Sequence, residues 1–231
     1  MNLDARQAVL TAIRASLAGA PDHVARAHAK RGPVPPTPPE NASAGVTRAD
    51  AGALIATFRE ALEAVSGRCT VVGNEEEAAA RIEEILAESK AATVAVSDAP
   101  LVGAVTRRLG PGRVLLQDAD AAALFGCDVG ITSAQWAVAE TGTLVLESDA
   151  ERHRLASLVP PVHVALVSAK RLRLTLAEVL DDIAGRATGP CPVVTFITGP
   201  SRTSDIELTL AIGVHGPGEL HVIVVEEVSS E

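Results

Sequence analysis

The chain has 231 residues, of which 47% are apolar and 21% charged, and its formal net charge is -9. That length and apolar content suffice for one substantial α/β core without disulfide or metal staples, while an acidic surface with no local basic patch argues against a nucleic-acid partner. The 2% aromatic content and the lack of tyrosine exclude a base-stacking platform, and Cys69, Cys127 and Cys191, widely separated and without a C-x-x-C pair, encode no disulfide framework, zinc site or iron–sulfur cluster.

In chain order, Leu3, Val9, Leu10, Ile13 and Leu17 recur at helical spacing and predict an N-terminal helix over residues 1–20. Asp4, Arg6 and Arg14 interrupt its apolar pattern, so it is no secretory leader, and no stretch reaches the roughly 18 uncharged apolar residues of a membrane span. A soluble, cytoplasmic protein is expected. Residues 21–46 hold Pro33, Pro35, Pro36, Pro38 and Pro39 and read as an extended linker to a main domain over 47–231. There, a helix from Ala49 carrying Leu54, Ile55, Phe58, Leu62 and Val65 precedes a strand at Cys69–Val72, a helix at Glu75–Glu88 and a strand at Ala92–Val96. A short helix over Pro100–Leu109 leads to strands at Val114–Leu116 and Val129–Ile131. Farther on come a strand at Val162–Val167, a helix at Leu174–Ile183, a strand near Val193 and a closing strand at His221–Val225. Strands separated by helices predict a mostly parallel sheet covered on both faces. Between Trp136 and Glu147 the residues alternate around a central Thr-Gly, which predicts a β-hairpin inserted into that sheet or added to its edge.

Three segments carry candidate chemistry. Pro192–Thr198 reads as a buried strand emptying into Gly199-Pro200-Ser201-Arg202-Thr203, and Ser204-Asp205-Ile206-Glu207 fits a capping box at a helix start. Free amides there, with Arg202 beside them, suit a phosphate or carboxylate; a loop that only ends a strand and caps a helix fits the same pattern. Glu140, flanked by Ala139 and Thr141-Gly142, would act as a base or nucleophile if desolvated, or simply face solvent beside a turn. His215, between Gly213-Val214 and Gly216-Pro217, would bind an anion or pass a proton, or serve only as a satisfied turn residue. His221 lacks a third partner for a metal, Trp136 reads as a core or interface residue, and the preference for arginine over lysine reads as compositional. Walker A, G-x-G-x-x-G, H-E-x-x-H and G-x-S-x-G patterns are all missing.

Taken together, Gly130-Ile131-Thr132, Ala139-Glu140-Thr141-Gly142-Thr143, Ser157-Leu158-Val159-Pro160-Pro161, Gly199-Pro200-Ser201-Arg202-Thr203 with Asp205-Ile206-Glu207, and Gly213-Val214-His215-Gly216-Pro217 resemble the lactate-utilisation protein C family (LutC or YkgG), built on the LUD domain. The resemblance implies a three-layer α/β/α fold of the NagB/RpiA/CoA-transferase type and a role in oxidising L-lactate to pyruvate beside LutA-like and LutB-like iron–sulfur partners. It implies no cofactor in this chain, the clusters lying in the partner subunits. Its signature positions here are Glu140, Thr141 and Gly142, then Gly199, Ser201, Arg202, Thr203, Asp205 and Glu207, then His215 and Gly216. Two activities remain open: an accessory subunit binding a small carboxylate or phosphate at the strand-to-helix loop, or a free-standing isomerase or acyl-CoA transferase using Glu140.

Overall fold

A computed structural model describes residues 11, 48–117, 121–148, 150, 154–185, 191–204, 210–212 and 216–227. The expected N-terminal helix, apart from Thr11, and the Pro-rich linker lie outside these residues, as do Asp205, Glu207 and His215.

Helix α1 (Arg48–Ala64) follows the Leu54, Ile55, Phe58, Leu62 spacing and buries Ile55, Phe58 and Leu62. It ends in a Schellman motif, with the Gly67 amide on the Leu62 carbonyl at 2.9 Å, the Ser66 amide on the Glu63 carbonyl at 2.9 Å and Ser66 left-handed at φ 68°. Strand β1 (Arg68–Val72) leads to α2 (Glu75–Glu88), whose N-cap Asn74 accepts from the amides of Glu76 and Glu77 and whose first turn carries three glutamates against the helix dipole. Strand β2 (Thr93–Val96), helix α3 (Pro100–Thr106), strand β3 (Val114–Leu116), helix α4 (Ala121–Leu124) and strand β4 (Val129–Ser133) continue the predicted alternation.

Next come β5 (Trp136–Val138), β6 (Thr143–Glu147), a 3-10 turn at Arg154–Ser157, β7 (Val162–Ser168), a second 3-10 turn at Ala169–Arg171, β8 (Leu172–Arg173) and α5 (Leu176–Ala184). Helix α5 starts on a capping box in which Thr175 and Glu178 satisfy each other's backbone amides. The remaining strands are β9 (Val194–Ile197), β10 (Arg202–Ser204), β11 (Leu210–Ile212) and β12 (Glu219–Val225).

Six strands in the order β1-β12-β7-β4-β2-β3 form one wholly parallel sheet. Its even-numbered residues on β2, β7 and β1 and odd-numbered ones on β4 and β12 pack against α2 and α3 through Ile82, Ile85, Leu86, Val102 and Val105. The opposite face packs on α1 and on a second sheet, ordered β8-β5-β6-β9, through Phe58, Leu62, Leu144, Leu146, Val167 and Val222. The fold class is thus the expected α/β arrangement with a mostly parallel sheet.

Two details differ from expectation. The predicted hairpin is β5 and β6, but it neither enters nor extends the parallel sheet; with both its faces buried, it seeds the second sheet, where β9 pairs antiparallel with β6 instead of continuing the parallel alternation. The stretch expected to be a loop enters strand β10 at Arg202, while the helix expected after Ser204 falls on residues 205–209, outside those described. Arg202, Thr203 and Ser204 pair with Ile212, Ala211 and Leu210 in an antiparallel ladder.

Two glycines let layers approach. A Cβ on Gly130 would stand 1.8 Å from the Ala156 carbonyl oxygen, so the 3-10 turn rests directly on β4. At Gly142 (φ 63°) a Cβ would stand 2.4 Å from the Leu62 nitrogen, which seats the hairpin turn on α1.

Candidate functional site

The motif segments converge on the carboxyl end of α1. Gly142 touches the backbone of Ala61 and Leu62, and Gly199 lies against Val65. A chain of hydroxyls joins them: Thr141 Oγ1 to Thr143 Oγ1 at 2.7 Å, then Thr143 Oγ1 to Thr198 Oγ1 at 2.7 Å. Arg202 donates through Nη2 to the Val65 carbonyl at 2.9 Å and to the Ser66 hydroxyl. From the other side, the Ser201 amide donates to the Pro217 carbonyl at 2.8 Å, and Gly216 packs on the Ser201 side chain. The Gly218 amide in turn reaches the Pro161 carbonyl at 2.9 Å, which brings in the Ser157–Pro161 motif.

These contacts recast the expected roles. The Gly199–Thr203 loop sits at the negative end of α1, and the Arg202 guanidinium answers that charge. Glu140 is exposed, not desolvated: its Oε1 accepts from the Leu176 amide at 3.2 Å at the start of α5, and its own amide donates to the Leu174 carbonyl at 3.1 Å. Arg202 and Glu140 therefore serve the ends of two different helices. Thr141, Gly142, Gly199, Ser201, Arg202 and Gly216 are brought together; the Thr203 side chain is not among those described. A shallow hollow of about 380 Å³ lies elsewhere, between Leu86, Lys90 and Pro111–Arg113, and none of the expected site residues lines it.

Two buried histidines mark the parallel sheet. His163, 1% exposed, shares a 2.8 Å hydrogen bond between Nε2 and Thr132 Oγ1, and its Nδ1 has no partner among the described residues; burial pushes its pKa down to about 3. His221 is also lowered, by burial and then by Arg68, against the pull of Glu219. Both are neutral near pH 7. The Cys69 thiol is pushed up by burial, with Arg59 opposing, which suits an inert thiol. No group of three metal-ligating side chains occurs among the described residues, and no described helix is long and apolar enough to cross a membrane.

The carboxyl ends of the parallel strands are where ligands bind in open α/β sheets. Here β7 ends in Ser168 and runs through the turn Ala169–Arg171 into β8, and together turn and strand place two arginines over the single tryptophan. The Cζ atoms of Arg171 and Arg173 each stand 4.8 Å from the Trp136 ring centroid. Sequence reading did not pair them, because 35 to 37 residues separate Trp136 from these arginines in the chain (171 - 136 and 173 - 136) and the arginine preference carried no positional signal.

Comparison with known proteins gives the kinship. Residues 113–225 match the family model described as the LUD domain. A lactate utilization protein C of Deinococcus radiodurans is 32% identical over 166 residues, covering 63% of this chain and 78% of that protein. One of Halalkalibacterium halodurans is 37% identical over 105 residues, and an uncharacterised protein of Neisseria meningitidis is 40% identical over 98. The match spans less than half of these last two proteins, 45% and 42% respectively. The crystal structure of a DUF162 family protein from Deinococcus radiodurans has a TM-score of 0.58 at 24% identity, over 76% of this chain and 98% of that one, and shares the fold.

Proposed function

The chain belongs to the LUD-domain family that includes the lactate utilization C proteins, and on that footing we propose that it serves lactate utilisation as a ligand-binding subunit without bond-breaking chemistry of its own. One observation carries the reading: the two side chains best suited to catalysis and anion capture are committed to helix ends, Glu140 to the Leu176 amide and Arg202 to the Val65 carbonyl. Oxidising L-lactate to pyruvate releases two electrons and two protons. In this reading the electrons pass to LutA-like and LutB-like partners carrying iron–sulfur clusters, which three scattered cysteines here are unsuited to hold. This subunit binds a small carboxylate and organises the assembly.

The test is growth on L-lactate by a strain lacking the gene. The wild-type chain restores growth and co-purifies with cysteine-rich partners, and Glu140→Gln, whose amide oxygen still accepts from Leu176, restores it equally. A folded Glu140→Gln protein that fails to restore growth would replace this reading with the isomerase or acyl-CoA transferase alternative, in which that carboxylate is base or nucleophile.

A further inference from the structure

We propose that Arg171, laid over the indole of Trp136 at the carboxyl end of β7, is the binding site for a small organic carboxylate; the proposal rests on the ligand-binding reading above and names its site. The platform is built from beneath. Trp136 is 4% exposed, and its Nε1 donates at 2.9 Å to the carboxylate of Glu147, itself fully buried. The backbone amide of Glu147 is held by Gln135 Oε1 at 2.7 Å, so the ring is fixed in its plane.

The two guanidinium groups on this ring differ in kind. Arg173 is engaged by the protein: its Nε donates to Asp182 at 2.7 Å, and its Nη1 to the carbonyls of Leu172 and Lys170. Arg171 is exposed, and among the described residues it has no hydrogen bond or ion pair; its contact is the ring. Stacking orients its planar fork while leaving the N–H groups open. Lys170, exposed beside it, adds a second cation whose side chain has no ion pair among the described residues. On a chain of net charge -9, such a pair of uncompensated cations is a local exception.

A planar fork with parallel N–H donors matches the two oxygens of a carboxylate. An anion there would also relieve the repulsion between two guanidinium groups sharing one ring, of which Asp182 neutralises only one. Because stacking has already restricted the Arg171 side chain, less rotamer freedom is lost on binding.

Trp136 is the single tryptophan and tyrosine is lacking, so intrinsic fluorescence reports on this ring alone. The full chain is titrated with sodium L-lactate, and with sodium chloride and sodium phosphate at matched ionic strength. The expected result is a saturable change with lactate and none with chloride, abolished in Arg171→Ala and weakened about tenfold or more in Arg171→Lys, which keeps the charge and loses the fork. Far-UV circular dichroism shows that the variants fold. No saturable change with lactate, an unchanged titration in Arg171→Ala, or saturation with phosphate alone would overturn the proposal. Failure here would leave growth on lactate and partner co-purification intact, whereas failure of those would leave this titration unaffected.

Discussion

Three glycine-to-alanine substitutions separate backbone strain from steric overlap and test whether the hairpin is seated on α1. Gly112 (φ 109°) has nothing within 4 Å of where a Cβ would stand, so alanine there meets strain alone. That strain is about 1–2 kcal/mol, partly offset by the roughly 0.4–1 kcal/mol that alanine contributes by restricting the unfolded chain. Gly130 has no positive φ, and its Cβ would lie 1.8 Å from the Ala156 oxygen; alanine there costs about 1–3 kcal/mol in overlap. Gly142 combines the two, at φ 63° with contacts of 2.4 and 2.6 Å to Leu62 backbone atoms, so about 2–5 kcal/mol is expected. Urea unfolding followed by circular dichroism gives each value, with an unchanged m-value confirming that the denatured states are comparable. A Gly142→Ala protein no less stable than Gly112→Ala would refute the close approach of the hairpin to α1, and with it the clustering of the motif segments.

Lys90, left-handed at φ 53° after α2, stands where glycine is preferred, so Lys90→Gly should raise the unfolding free energy by about 1 kcal/mol in the same urea assay. Arg202→Ala removes a charged cap from α1 and should lower stability by about 1–2 kcal/mol while leaving lactate-dependent Trp136 fluorescence unchanged; loss of that signal in a folded variant would return the anion to the loop. For His163 the folded pKa of about 3 lies below the ordinary 6.5, so the unfolded state binds more protons and stability falls as pH drops from 6.5 toward 3. Between pH 6.5 and about 5 the loss is on the order of 2 kcal/mol. His163→Gln should flatten that slope, leaving the smaller same-signed part due to His221, and an unaltered slope would refute the buried neutral imidazole.

Elements whose signals are local were legible in the sequence. Asn74 before three glutamates and the Ala78, Ile82, Ile85, Leu86 stripe fix α2 at the expected Glu75–Glu88, and the alternation from Trp136 to Glu147 yields β5 and β6. What alternation cannot specify is the partner: β5 and β6 are buried on both faces, so the pattern did not reveal that they found a second sheet. Strand β10 escaped the local pattern for a related reason: its partner, Leu210–Ile212, is carried by another segment. At the candidate site, the glycines and Arg202 were legible as a group, while their shared contact with α1 and the meeting of Arg171 with Trp136 arise from tertiary contacts that residue spacing does not record.

The position of β12 bears on how the protein is made. It is the last of the twelve described strands to leave the ribosome, yet it lies between β1 and β7, paired along its length to both. Until it arrives, a nascent chain holds two open strand edges facing one gap, and the pairing that closes it joins Arg68 to His221 across 153 residues. Such long-range parallel closure is slow and leaves sticky edges exposed. Synthesis of this protein should therefore draw on chaperones late in translation, and a premature stop before Glu219 should yield an insoluble product, not a shortened domain.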